Sequence, residues 1–245
     1  MTEESTTISR AAFDFVDQIE RMLDRQAVMA RFGQELSRYG FHAWLITGLP
    51  NPGDRIEPLM MLNGWPGGWT EAYTRLNFVQ NDPVVAYCFR TTNPFEWVDA
   101  PYDPLANPKA KEVMERATDF RMTQGFCVPI HNGDGFQAVV SIAGDSVELG
   151  RQVKRALHLM GLYAHSKTAE LCAPKEVRTP RLLTKREREI LQWTSTGKTS
   201  WEISQILGVA ESTVTAHIKA AAAKFDTPNR VATVVTALRR GEISL

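Results

Sequence analysis

The chain has 245 residues, is 43% hydrophobic and carries 28 Lys+Arg against 28 Asp+Glu, a formal net charge of zero. That length suffices for two domains with cores of their own, one of about 170 residues and one of about 65, while no window approaches the roughly 18 apolar residues of a spanning helix. Cys88, Cys127 and Cys172 lie far apart with no C-x-x-C pair, which argues against a disulfide framework or a structural metal, and no cofactor is expected. With no N-terminal run of signal-peptide type, the chain is expected in the cytoplasm.

In chain order, residues 10–26 and 27–39 read as two amphipathic helices. Phe13, Val16, Met22 and Leu23 form the apolar face of the first, and Val28, Phe32, Leu36 and Tyr39 that of the second. Strand-like runs at Phe41–Thr47 and Ile56–Leu62 flank a Pro/Gly loop at 48–54 and suit an antiparallel pair. Residues 65–97 are rich in Trp and Tyr, with Trp65, Trp69, Tyr73 and Trp97 in 33 residues and Asp82-Pro83 among them. Trp69 and Tyr73 are four apart and share a face if helical. Lys109–Asp119 reads as helix. Phe126–Ile130 and Phe136–Ala143 read as strands joined by a hairpin turn at 131–135. A long helix is expected over Val147–Leu171, then a charged, proline-bearing linker over 173–181. The order of elements suggests an antiparallel sheet with helices on both faces, an α+β domain.

The last quarter is patterned differently. Thr184 and Glu187 form a T-x-x-E capping box, so a helix starts near Lys185; Ile190 and Leu191 supply its apolar edge and Gly197 its stop. Thr199 and Glu202 repeat the box for a second helix with Ile203, Ile206 and Leu207 at i, i+3, i+4, ended by Gly208. A third helix from about Glu211 to Phe225 buries Val214, Ile218 and Phe225. It turns Ser212, Thr213, Thr215, Ala216, His217 and Lys219 outward, where small polar side chains suit a major groove. Residues 174–245 hold 12 Lys+Arg against 7 Asp+Glu, leaving 16 against 21 before them, so the two parts are +5 and −5. A basic small domain is the footprint of a phosphate-backbone partner.

These motifs, L-T-x-R-E at 183–187, Leu191, G-K-T at 197–199, E-I at 202–203 and S-T-V at 212–214, closely resemble the DNA-binding domain of the LuxR-type transcription regulators. One departure is Ala210, where that family commonly has a Ser or Thr cap. The resemblance implies an all-α, four-helix helix-turn-helix domain over 182–245. Thr213, Thr215, Ala216, His217 and Lys219 are its candidate base readers, Ser212 stands beside them, and Lys198, Thr199 and Lys224 are its candidate phosphate contacts.

The first part is similar to the acyl-homoserine-lactone receptor branch of the same family, through Trp69-x-x-x-Tyr73, Asp82-Pro83, Trp97 and Gly125. This resemblance implies that Trp69 donates to a lactone carbonyl, Asp82 accepts from the ligand amide N–H, Tyr73 donates to the acyl carbonyl and Ser141 assists. Trp97 would be a wall beside the lactone ring. Trp44, Trp65, Val84, Val85, Met114, Ala117, Met122 and Cys127 would line or neighbour the acyl pocket, and bulky Trp44 and Trp65 favour a short, branched or aromatic acyl group. Plainer roles stand beside these. Asp82 before Pro83 is also a helix N-cap, Ser141 can bond to backbone, and Gly125 can serve backbone geometry.

The implied protein is a quorum-sensing transcription factor. Residues 1–172 would bind the signal and dimerise through the long helix, 173–181 would link, and 182–245 would present two recognition helices to a palindromic double-stranded site. Activation, with RNA polymerase as a further partner, is the expected output. The alternative within the family is an orphan regulator that binds DNA without its ligand or is repressed by it. The acidic pair and parallel strand/helix alternation of a phosphoacceptor receiver are missing. Five scattered histidines without an H-x-H cluster are poor material for a lactone-cleaving enzyme.

Overall fold

A computed structural model describes residues 3–131, 137–172 and 182–244, and the chain divides into two compact units. In the first, α1 (Glu3–Glu20), α2 (Arg25–Ser37) and β1 (Phe41–Gly48) precede β2 (Met60–Asn63), α3 (Gly67–Arg75) and α4 (Pro83–Cys88). Then come β3 (Phe95–Glu96), α5 (Pro108–Thr118), β4 (Gln124–His131), β5 (Gln137–Gly144) and α6 (Arg151–Cys172). Single 3-10 turns lie at Glu57–Leu59, Phe78–Gln80 and Trp97–Asp99. The five strands form one antiparallel sheet in the order β2-β1-β5-β4-β3.

Several boundaries differ from the periodicity. Asp24, in extended conformation, accepts from the Ala27 N–H at 2.9 Å and so starts α2 at Arg25. The first helix therefore stops at Glu20, and Leu23, expected on its apolar face, is 87% exposed; Phe13 is turned outward as well. The run 56–62 begins with a 3-10 turn around Pro58 and pairs with β1 only from Met60. The long helix starts at Arg151 rather than Val147, and the chain before it is tied to the turn between α2 and β1 by a bond from the Glu148 N–H to the Tyr39 carbonyl. Of the turn expected at 131–135, His131 ends β4 and residues 132–135 lie outside the described residues, as does the linker at 173–181.

Strand parity divides the unit into two cores. Trp44 and Ile46 of β1, Phe126, Val128 and Ile130 of β4, and Ala138, Val140 and Ile142 of β5 pack against α1, α2 and α6. The alternate residues Ala43, Leu45, Cys127, Val139 and Ala143 face the other side, with α3, α4 and α5. Phe41 joins the first core although Ala43 joins the second, because the ladder to β5 is irregular between them and shifts the parity there. The aromatic segment 65–97 is thus draped over one face of the sheet.

Among the described residues of the second unit are four helices, α7 (Lys185–Ser195), α8 (Ser200–Leu207), α9 (Glu211–Phe225) and α10 (Arg230–Arg239). Both capping boxes close, Thr184 with Glu187 and Thr199 with Glu202. Gly208 caps α8 in the left-handed region at φ +63°. Ile190, Leu191, Ile203, Val214, Ile218 and Phe225 meet in one core. Ile206 does not: α8 turns Ile203, Ser204 and Leu207 inward and leaves Ile206 45% and Trp201 59% exposed.

Candidate functional site

The second face of the sheet holds an apolar pocket. Strands supply Leu45, Thr47, Cys127, Val139 and Ser141; the overlying segments supply Ile56, Trp65, Trp69, Tyr73, Asp82, Val84, Val85, Cys88, Trp97 and Met114. Helix α3 stacks Trp69 and Tyr73 at i, i+4, with ring centroids 5.4 Å apart. Trp65 packs on both, at 6.1 and 4.9 Å, while Phe78 and Phe120 close the cluster around Trp69. The cavity left is about 30 Å³, well below the roughly 300–1,000 Å³ of a typical small-ligand pocket.

Its polar groups are few and converge. Asp82 is the N-cap of α4, with Oδ1 accepting from the Val84 N–H at 2.8 Å. Its other oxygen accepts from the Tyr73 hydroxyl at 2.7 Å. The residue is thus the helix cap that the Asp82-Pro83 sequence suggested, and its carboxylate also lies in the pocket lining. Burial pushes the Asp82 carboxyl above its ordinary value, against the pull of the Tyr73 hydroxyl and the Val84 and Val85 N–H groups. Burial, then the neighbouring charge of Asp82, raises Tyr73 well above the usual phenol range. Ser141 stands opposite Cys127 in the β4–β5 ladder, and the Cys127 thiol lies 3.4 Å from the Ser141 hydroxyl. A hydrogen bond with Cys127, with burial added, raises the Cys88 thiol.

Of the residues singled out in the sequence, Trp65, Trp69, Tyr73, Asp82, Val84, Val85, Trp97, Met114, Cys127 and Ser141 are brought together here. Trp44 is not. Even parity on β1 places it on the opposite face, edge-on to Phe32 with ring centroids 5.3 Å apart, so it cannot line this pocket. Ala117 and Met122 are core residues behind the wall. Gly125 has no left-handed backbone to explain it; a Cβ there would meet the Trp97 indole at 2.3 Å, so its lack of a side chain makes room for that ring. Leu45, Thr47 and Val139 were missed, although they share the pocket-facing parity of Ser141. Cys88, one turn after Val84 on α4, was legible as its helical neighbour.

In the second unit, Ser212, Thr213, Thr215, Ala216 and Lys219 are exposed along α9, while His217 is half-buried. Ala210 makes no side-chain cap, leaving the first turn of α9 held by backbone bonds alone. Lys224, expected at phosphate, is committed elsewhere: its ammonium lies 2.6 Å from Glu187 Oε2, inside the first capping box. Burial of Glu187 opposes ionisation, but Lys224 and the Thr184 donors together hold its carboxyl below the ordinary value. Thr199 is occupied as N-cap of α8, and Lys198 lies 3.5 Å from Glu202. Arg230, absent from the sequence-based set, donates to the Lys198 carbonyl at 2.6 Å and to Ser200 at 3.1 Å, fixing the turn before α8.

Among the described residues no group of His, Cys, Asp and Glu is arranged to hold a metal ion, and no helix is long and apolar enough to cross a membrane. Residues 24–168 match the autoinducer binding domain family, and residues 181–237 match the bacterial regulatory proteins of the luxR family. The chain is 43% identical over 236 residues to the HTH-type quorum sensing-dependent transcriptional regulator RpaR of Rhodopseudomonas palustris, covering 96% of each chain. To the transcriptional activator protein BjaR1 of Bradyrhizobium diazoefficiens it is 41% identical over 230 residues, 94% of this chain and 95% of that one. In fold it is similar to SdiA of Escherichia coli, with a TM-score of 0.69 at 22% identity over 94% of this chain and 96% of SdiA.

Proposed function

The chain belongs to the LuxR family of quorum-sensing transcription regulators, with an autoinducer-binding and a DNA-binding domain, and from that premise we propose that its signal is an acyl-homoserine lactone. The observation that carries this reading is the Tyr73–Asp82 hydrogen bond inside a pocket otherwise walled by aromatic and aliphatic groups. A carboxylate offers about four acceptor positions. Asp82 gives one each to the Val84 N–H and the Tyr73 hydroxyl, and the Val85 N–H draws on it as well, so a position is left for a ligand amide N–H. Tyr73 has one proton, now given to Asp82; it turns that proton to the acyl carbonyl as the amide N–H takes its place on the carboxylate. Trp69 supplies the indole donor for the lactone carbonyl, and Ser141 assists from β5.

A pocket of about 30 Å³ has to spread its aromatic walls to admit any lactone. With Trp65 packed across Tyr73, short, branched or aromatic acyl groups fit best. Residues 1–172 form the signal-binding and dimerisation domain, with α6 as the dimer helix, 173–181 the linker and 182–245 the reader. A cytoplasmic homodimer then sets two α9 helices on a palindromic site, where Ser212, Thr213, Thr215, Ala216, His217 and Lys219 meet DNA and Lys198 meets phosphate. Activation through RNA polymerase is the output, in keeping with the activator name of BjaR1.

The test is the melting temperature of the purified protein against lactones with short straight, branched, long and aromatic acyl groups. At about 100 times Kd the right signal stabilises by about 2.7 kcal/mol, a rise of roughly 5–10 °C for a domain of this size. Asp82→Asn should lose that rise. No shift with any lactone would favour the orphan alternative, a regulator whose DNA binding needs no such signal.

A further inference from the structure

Trp97 Nε1 is buried and has no hydrogen-bond partner among the described residues. An indole N–H only donates, and leaving one buried and unpaired opposes folding. The ring is not free to turn away. It lies over Gly125, where a Cβ would come within 2.6 Å of Nε1 itself. Its backbone begins a 3-10 turn fixed by the Glu96–Asp99 capping box, and Glu96 is in turn ion-paired with Lys154 of α6. β3, just before it, is paired with Cys127 and Phe126 of β4. A costly donor is thus held rigidly in the wall of the pocket, which is how a recognition group is preorganised.

An acyl-homoserine lactone carries four polar groups: an amide N–H, two carbonyl oxygens and the ring oxygen. In the reading above, on which this inference rests, Asp82, Tyr73 and Trp69 satisfy the first three. We propose that Trp97 is a fourth polar anchor of the pocket, its indole N–H donating to the ring oxygen of the lactone. The residue then reads the ester itself, and distinguishes the lactone from a carbocycle of the same shape.

The experiment measures calorimetric affinity of the full-length protein for the lactone giving the largest thermal shift, and for its cyclopentanone counterpart with CH2 in place of the ring oxygen. Wild type should lose roughly 3- to 10-fold on that exchange, the worth of one neutral hydrogen bond. In Trp97→Phe, which keeps an aromatic ring over Gly125, the two ligands should bind alike. Should that variant fold poorly, the indole 15N–1H resonance of Trp97 in wild type decides: it should move downfield with the lactone and not with the carbocycle. Equal affinities in wild type, discrimination that persists in Trp97→Phe, or an indole shift common to both ligands would each overturn the proposal. Binding of lactones with no preference for the ring oxygen would leave the pocket reading standing, whereas failure of wild type to bind any lactone would overturn both.

Discussion

At Gly125 a single missing methyl group decides where an aromatic wall stands. A Cβ would sit 2.3–2.6 Å from three indole atoms of Trp97, so Gly125→Ala must push the ring toward the pocket or bend β4. Overpacking of this kind costs about 1–3 kcal/mol; the expected outcome is a lower melting temperature together with a smaller lactone-induced shift, both read in one thermal scan. Glu187 shows the other kind of single-residue leverage. Its carboxylate serves the Thr184 N–H and the Lys224 ammonium at once, and its pKa lies below the ordinary 4.5. A depressed carboxylate contributes stability that is present above its unfolded pKa and is lost as pH falls through the folded one. Acid titration of Glu187→Gln should therefore show a shallower loss of stability below about pH 4.5 than wild type, with lower stability at neutral pH. A slope identical to wild type would mean that another carboxylate carries the acid sensitivity.

Caps set the boundaries of elements where periodicity alone misplaced them. Asp24 ends the ambiguity between the first two helices, and Asn107 and Asn229 do the same for α5 and α10. Among the described helices of the second unit the exception is α9, whose N-cap Ala210 has the extended backbone of a capping residue, φ −69° and ψ 147°, but no acceptor to offer. Ala210→Ser supplies one without moving the chain. It should stabilise the second unit by about 0.5–2 kcal/mol, measured as a higher unfolding temperature in calorimetry of the whole protein. At the same scale, β1 explains Trp44. Read as a run, Phe41–Gly48 is apolar almost throughout, and nothing in it says which alternate set faces the ligand side; only pairing with β5, which sets Leu45 opposite Ser141, assigns it.

For the whole molecule, zero net charge conceals a basic C-terminal part of +5 and an acidic remainder of −5. Operator binding should weaken with salt, and Lys198→Ala, which removes the proposed phosphate contact, should reduce the slope of log K against log salt by roughly 1. Lys224→Ala should leave that slope unchanged and instead lower stability by about 1–3 kcal/mol, because it strips a partner from the buried Glu187 carboxylate. A changed slope with unchanged stability would return Lys224 to the DNA surface. The division into a signal-binding and a DNA-binding part was legible from local patterns: two capping boxes four residues wide, glycine stops, and an aromatic pair at helical spacing each depend on neighbours within one or two turns. The sheet with helices on both faces, and the gathering of Trp69, Tyr73, Asp82 and Trp97, followed from the order of elements and the family resemblance. What the tertiary structure alone decided were the side of β1 on which Trp44 lies, the ring that occupies the space above Gly125, the unpaired Trp97 N–H and the partner of Lys224. Each depends on chain segments distant in sequence meeting at a given register, and a one-residue step in strand parity reverses the answer, so no local pattern carries that information.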